Sequence, residues 1–340
     1  MKKQNDKTIL DLARTLQLSP ATISRALNNN PNVKAKTRER ILEAASELGY
    51  RKNTLASGLR SNKSNTIGLI VPRISMFFHA VVITEIQNLL HQQGYNLIIC
   101  QSNDSLQLEK ELADTLYASR VDAVIVACTL HTTEYTHFDK LLHNGIPVVF
   151  YDRVPIVPYE ATMVKGDDEK GGYLAGKHLI ENGCTRIGYI SGPLTCSLYK
   201  ERTAGFLRAL EEQGVSLNPK WTFYQELTYD NAMHALNSMF TSDRTPDGIF
   251  TANDLSAIAT IDFTRQKNIL VPEQLKVIGY SNDPRSAIIT PSITTIEQFP
   301  VKVGQQVVEK LLHILQQPRQ TAIETEIVVT PVELIKRTSA

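Results

Sequence analysis

Seven short runs of apolar and β-branched residues recur between residues 67 and 280, each separated from the next by a helical stretch. They are Ile67–Val71, Leu97–Cys100, Ala123–Ala127, Val148–Tyr151, Ile187–Ile190, Gly248–Thr251 and Val277–Tyr280. A strand without polar alternation has both faces covered. Alternation with helices supplies that cover, so the pattern predicts parallel sheets with helices on both faces. Four helical stretches close on Gly94, Gly145, Gly183 and Gly214, where a left-handed helix terminus favours a residue lacking Cβ. From Thr66 onward the chain runs for about 275 residues, long for a single core, and the pattern therefore predicts two similar lobes.

Residues 1–63 read differently. They carry thirteen Lys and Arg against five Asp and Glu, a net of +8, whereas residues 64–340 carry 23 against 30, a net of −7. A basic block on an acidic body points to a polyanionic partner at that end. Ile9, Leu12, Ala13 and Leu16 recur at helical spacing. Ser19-Pro20 then starts a second helix as N-cap and first-turn proline, with Ile23, Ala26 and Leu27 inward. A third helix runs from about Ala35 to Leu48, with Ile41, Ala44, Ala45 and Leu48 inward and Gly49 as its terminus. This is a small all-α helix–turn–helix unit. Its second helix carries Ser19, Pro20, Ala21, Thr22, Ser24 and Arg25 at the front, small enough for close approach to a major groove. Arg25 reaches a phosphate or a guanine edge from there. A helical protein-interaction domain has the same spacing, and spacing alone leaves both readings open.

Ligands of open α/β sheets bind outside the carboxyl ends of the strands. The residues there include Arg73, Asn103-Asp104, Asp152-Arg153, Asn253-Asp254 and Ser281-Asn282-Asp283. Carboxylates, amides and guanidinium groups converging on one cleft suit a ligand with many hydroxyls. Asp104 and Asp254 serve equally well as N-caps of the helices that follow.

Other chemistries find little support. The sequence has no apolar stretch near the ~18 residues of a membrane span and no apolar segment behind its first charges, so the reading is cytoplasmic. Cys100, Cys128, Cys184 and Cys196 form no C-x-x-C pair and are read as reduced thiols. The eight histidines show no metal-ligand spacing, and neither a nucleophile elbow nor a Walker A loop occurs. The expectation is no catalysis, no metal and no cofactor. Gly166–Gly172 is read as a lobe crossover leading into a helix whose acidic first turn complements its dipole.

Thr22-Ile23-Ser24-Arg25-Ala26-Leu27-Asn28, Lys36-Thr37-Arg38-Glu39-Arg40-Ile41 and Leu48-Gly49-Tyr50-Arg51-Lys52-Asn53 closely resemble the LacI/GalR family of bacterial transcription regulators. The resemblance continues through Leu55-Ala56-Ser57-Gly58-Leu59 and Thr66–Pro72 to Pro331–Arg337, nearly the whole chain. It implies a headpiece at 1–50, a hinge helix and linker at 51–64, and a two-lobed, periplasmic-binding-protein-like core at 65–340. The N-lobe is expected at about 65–162 and 295–323, the C-lobe at 167–290 and 329–340, with crossovers near 162–167, 290–295 and 323–329. It further implies a homodimer on a palindromic operator of double-stranded DNA, repression controlled by a small-molecule effector, most simply a sugar, and no membrane role. The chain's end at Ala340, soon after the last strand, is read as favouring a dimer over a tetramer.

On the DNA side the resemblance adds Thr8, Asn28, Asn32, Tyr50, Asn53, Ala56 and Leu59. Leu59 matches the hinge leucine that wedges into the minor groove, and Ala56 the small residue between paired hinge helices. On the effector side Arg202, Asp152, Asn253 and Gln298 match cleft positions, and Asn103 joins them from its strand end. Ser75 and Phe77 fall where the family places an aromatic against the ligand. Three departures bear on specificity: Ser281 replaces a common aspartate, Leu227 a common aromatic and His79 a common phenylalanine.

Overall fold

The computed structural model describes residues 7–27, 29–50, 63–156, 158–241, 244–317 and 325–340. They form two compact units, Met1–Ser64 and Asn65–Ala340. In the first, α1 (Ile9–Leu16), α2 (Pro20–Leu27) and α3 (Ala35–Glu47) close around Leu12, Ile23, Ala26 and Ile41, all fully buried. A capping box starts α1: Thr8 Oγ1 accepts from Asp11 N, while Asp11 Oδ2 accepts from Thr8 N. Ser19 Oγ accepts from Thr22 N at 3.2 Å, so the expected cap of α2 is formed. Asn28 and all of 51–62, including Asn53, Ala56 and Leu59 of the expected hinge, lie outside the described residues.

The second unit holds two six-stranded sheets. The first contains β1 (Thr66–Val71), β2 (Asn96–Gln101), β3 (Ala123–Val126), β4 (Val148–Tyr151), β5 (Thr162–Gly166) and β11 (Glu326–Thr330), in the order β11-β5-β4-β3-β1-β2. All its pairings are parallel. The second contains β6 (Ile187–Ser191), β7 (Thr222–Tyr224), β8 (Gly248–Thr251), β9 (Lys276–Tyr280), β10 (Thr294–Glu297) and β12 (Glu333–Ile335), in the order β12-β10-β9-β8-β6-β7. Here β12 runs antiparallel to β10, a departure from the all-parallel expectation. Helices cover both faces of each sheet: α4 (Phe77–Gln92), α5 (Leu106–Ala118), α6 (Asp139–His143) and α12 (Pro300–Gln316) in the N-lobe, α7 (Asp168–Glu181), α8 (Ser197–Glu211), α9 (Tyr229–Met239), α10 (Asp254–Gln266) and α11 (Pro284–Ile288) in the C-lobe.

Strand pairing places the crossovers. The first is Asp167, between β5 and α7, within the expected 162–167. The second falls at 298–299 rather than 290–295, because Thr294–Ile296 pair with Ile278–Tyr280 and keep β10 in the second sheet. The third falls at 331–332 rather than 323–329, because Glu326–Thr330 pair with Thr162–Gly166 in the first. The N-lobe pieces therefore end later than expected.

The helix pair α7 and α8 comes unusually close. A Cβ at Gly172 would sit 1.9 Å from the Arg202 carbonyl oxygen, and one at Gly205 would sit 1.7 Å from that of Glu169. Both obstacles are backbone and cannot rotate away. Gly172→Ala is therefore expected to destabilise by about 1–3 kcal/mol or more through forced helix separation, read as a lower urea midpoint. Gly94→Ala, at φ +80° with nothing near its Cβ, is the control. It carries backbone strain without a clash, so a midpoint no lower for Gly172→Ala than for Gly94→Ala would refute the close-packing argument.

Candidate functional site

Two sites emerge, one in each unit. On the headpiece, Ser19, Pro20, Ala21 and Arg25 are exposed and Thr22 and Ser24 half-buried along α2. Ile23 and Ala26 turn into the core and set that orientation. The Thr8 side chain is engaged in its cap, Asn32 N donates to Asn30 Oδ1, and Tyr50 packs half-buried against the headpiece core.

In the second unit a cavity of about 360 Å³ opens where the strands of both sheets end. From the N-lobe, Ser75, Met76 and Phe77 lead into α4 at its edge, with Leu130 opposite. From the C-lobe come Tyr199, Leu227, Asn253 and Ser281. Asn253 caps α10, accepting from Ser256 N at 2.9 Å and donating to the Leu227 carbonyl at 3.1 Å, so its amide is held rigidly. Asp104 and Asp254 are not caps. Asp254 accepts from Thr295 Oγ1 at 2.6 Å and from Asp283 N at 2.7 Å.

The arginines lining this cavity are paired. Asp104 accepts from Arg153 Nη1 at 2.5 Å, Arg73 Nε at 3.3 Å and Leu130 N at 3.2 Å. Burial pulls its carboxyl upward, but the two guanidinium groups outweigh that and hold it below its ordinary value. Arg73 also reaches Glu226 of the C-lobe at 2.7 Å, and Arg285 grips Asp283 at 2.6 Å. Two further bonds tie the lobes: Thr195 Oγ1 donates to the Leu130 carbonyl, and Val154 N to Ser197 Oγ, each at 3.1 Å.

Of the nine expected effector residues, Ser75, Phe77, Asn253 and Ser281 line the cavity. The other five do not. Arg202 is buried, donating from Nε to Asp168 Oδ1 at 2.8 Å and from Nη1 to the Ala252 carbonyl at 2.9 Å. Its guanidinium also lies 3.6 Å from the Tyr280 ring centre. It supports the turn that carries Asn253 and makes no wall. Asn103 is exposed and bonded to Gln101, and Gln298 is buried in the second crossover.

His79 and Asp152 are buried behind the wall. His79 Nδ1 pairs with the Tyr151 hydroxyl at 3.1 Å, and its Nε2 stands 3.8 Å from Asp152 Oδ2. This is no ion pair: burial, reinforced by Arg153, pushes the imidazole down to about 3, while burial raises Asp152 to about 6 against the pull of Arg153 and Arg202. Below 6.5 the unfolded chain takes up a proton that folded His79 refuses. This residue therefore removes about 1.4 kcal/mol of stability per pH unit as pH falls from there. His79→Gln is expected to lose stability less steeply between pH 6.5 and 5 than the parent, Asp152 being common to both. Parallel pH profiles would refute a neutral buried imidazole.

The flanking residues of the cavity follow from their strand ends, but Glu226, Tyr199 and Arg285 were not foreseen. They sit in a β7–α9 connection and on α8 and α11, where nothing local distinguishes them.

Comparison with known proteins decides the assignment. Residues 8–53 match the family described as "Bacterial regulatory proteins, lacI family", and residues 177–340 a "Periplasmic binding protein-like domain". The HTH-type transcriptional repressor PurR of Aliivibrio salmonicida is 35% identical over 306 residues, 90% of this chain and 91% of that one. The chain belongs to the lacI family. This lacI-family protein is a DNA-binding transcriptional repressor with a two-lobed core. PurR of Mannheimia succiniciproducens is 29% identical over 95% of this chain and 97% of that one. Among solved structures, a CelR–cellobiose complex aligns with TM-score 0.73 and 26% identity, over 98% of this chain and all of that one. A lac repressor dimer bound to operator and the anti-inducer ONPF shares the fold, with TM-score 0.82 at 24% identity over 98% and 99%.

Proposed function

We propose that this repressor binds a palindromic operator as a homodimer and is controlled by a neutral, many-hydroxyl ligand, a mono- or disaccharide, in the cavity between its lobes. One recognition helix covers one half-site, so a two-fold protein matches a two-fold operator. Ser19, Pro20, Ala21, Thr22, Ser24 and Arg25 face the bases in this reading, with Thr8, Asn32 and Tyr50 toward the backbone. The work is binding rather than catalysis, and it takes place in the cytoplasm.

The observation that carries the ligand class is the pairing of charge. Arg73, Arg153 and Arg285 each already hold a carboxylate, which leaves no unmatched cation for a phosphate among the described residues of the cavity. What remains for the ligand is amide, hydroxyl and carboxylate acceptors, with Phe77, Leu130 and Leu227 for a sugar's C–H face. The CelR neighbour was solved with cellobiose. A ligand shifts DNA binding only through its different affinity for the two lobe arrangements.

Thermal unfolding of the full chain against neutral saccharides, sugar phosphates and nucleobases tests this. A ligand at 100 times its Kd adds about 2.7 kcal/mol, visible as a raised Tm. A neutral saccharide is expected to raise it, and Phe77→Ala to weaken that response. A shift from sugar phosphates or nucleobases alone, or from nothing in the panel, would overturn the ligand class.

A further inference from the structure

A second cavity, of about 310 Å³, lies against a different face of α8. Both lobes build it. Val154, Pro155, Ile156, Met163 and Ile327 supply an apolar wall from the N-lobe, and Ser197, Ala204 and the stems of Lys200 and Glu201 face it from α8. Ile156 and Ile327 are 39% and 55% exposed, an apolar surface left open to water beside a concavity.

Two lysines and two glutamates line it, but not all of them pair with one another. Glu201 is bonded by Lys165, and Glu169 by Arg208. The Lys200 ammonium has no ionic or hydrogen-bonding partner among the described residues, so one cation stands unmatched beside an apolar pocket. We infer that this cavity is a second ligand site, and that it takes a small amphipathic monoanion, an aliphatic chain ending in a carboxylate. The chain lies on Ile156, Met163 and Ile327, and the carboxylate meets Lys200. A neutral polyol, the class proposed for the first cavity, finds few hydroxyl partners here, and a dianion would crowd Glu169 and Glu201.

The two cavities share a helix. The first turn of α8 places Tyr199 in one and Ser197 and Lys200 in the other. The bond from Val154 N to Ser197 Oγ and the Lys165–Glu201 pair hold the two walls of the second cavity at a fixed separation. A ligand seated there favours this arrangement of the lobes, in which the first cavity is also formed. Binding at the two sites is therefore mutually reinforcing, and by linkage the reinforcement is equal in both directions.

Saturation-transfer NMR of sodium hexanoate with the full chain is the test, with 1-hexanol and sodium acetate as matched probes. Hexanoate is expected to receive saturation along its methylenes, and acetate none. Lys200→Gln is expected to reduce hexanoate affinity to that of hexanol. Ala204→Trp, at an exposed helix position, fills the cavity and should abolish both signals while the Tm without ligand stays within a few degrees of the parent. A Tm that falls further moves the test to Ile327→Glu, which places a negative charge on the apolar wall from an exposed strand position and repels a carboxylate. Hexanoate signals that survive the blocking variant, or an absence of transfer in the parent chain, would overturn the proposal. Equal affinity for hexanoate and hexanol would overturn the carboxylate class. None of these readouts depends on the saccharide reading of the first cavity.

Discussion

Replacing Arg202 by alanine is expected to lower the stability of the two-lobed unit by about 3–5 kcal/mol, because it strands the buried Asp168 carboxylate without its partner. The Ala252 carbonyl loses a donor and the Tyr280 ring its cation in the same step. Asp168→Ala should cost a similar amount, whereas replacing both residues by leucine should cost less than either alone, since no charge is then left uncompensated. Urea unfolding of the three variants gives the comparison. If Arg202→Ala weakens ligand binding while stability changes by less than about 1 kcal/mol, the guanidinium works in the cavity after all. The structure favours the first outcome, since Arg202 is 4% exposed and bonded on two sides.

Affinity for duplex DNA is expected to fall roughly 10³-fold or more between 50 and 200 mM salt, if headpiece lysines and arginines neutralise about six phosphates. The term is independent of sequence, so it can be measured by anisotropy on an arbitrary duplex before any operator is known. Arg25 adds a separable contribution. As a base contact, Arg25→Ala costs about 1–3 kcal/mol on the operator and relaxes preference at one position. As a phosphate contact it weakens all sequences alike and reduces the salt slope by about one. Pro20 and Ala21 beside it have no side-chain donor, which concentrates hydrogen-bonded readout on Thr22, Ser24 and Arg25. Salt-independent binding would contradict the headpiece assignment outright.

Much of the fold was legible because its signals are local. The seven apolar runs are all strands, to within a residue at either end. Gly94, Gly145, Gly183 and Gly214 all have positive φ, and α2 starts at Pro20 behind its serine cap. Five strands were missed: β5, β7, β10, β11 and β12. They are short or polar, as in Thr294-Thr295-Ile296-Glu297, and pairing rather than propensity makes them strands. The misplaced crossovers follow from those omissions, since only pairing tells which sheet β10 and β11 join.

The functional sites divide along the same line. The sequence by itself determined the headpiece, because a helix–turn–helix is built from contacts close along the chain and its exposed face follows from helical period and caps. It also put polar residues at the ends of the strands. Which of them line the cavity was decided only by tertiary structure. Arg73 and Glu226 are 153 residues apart yet bonded across the lobes, and Arg202, equally polar on paper, turns inward to Asp168. Burial and partnership of a charge are properties of the packed neighbourhood. Nothing in the identity of an arginine says whether a carboxylate or a cavity will lie within its reach.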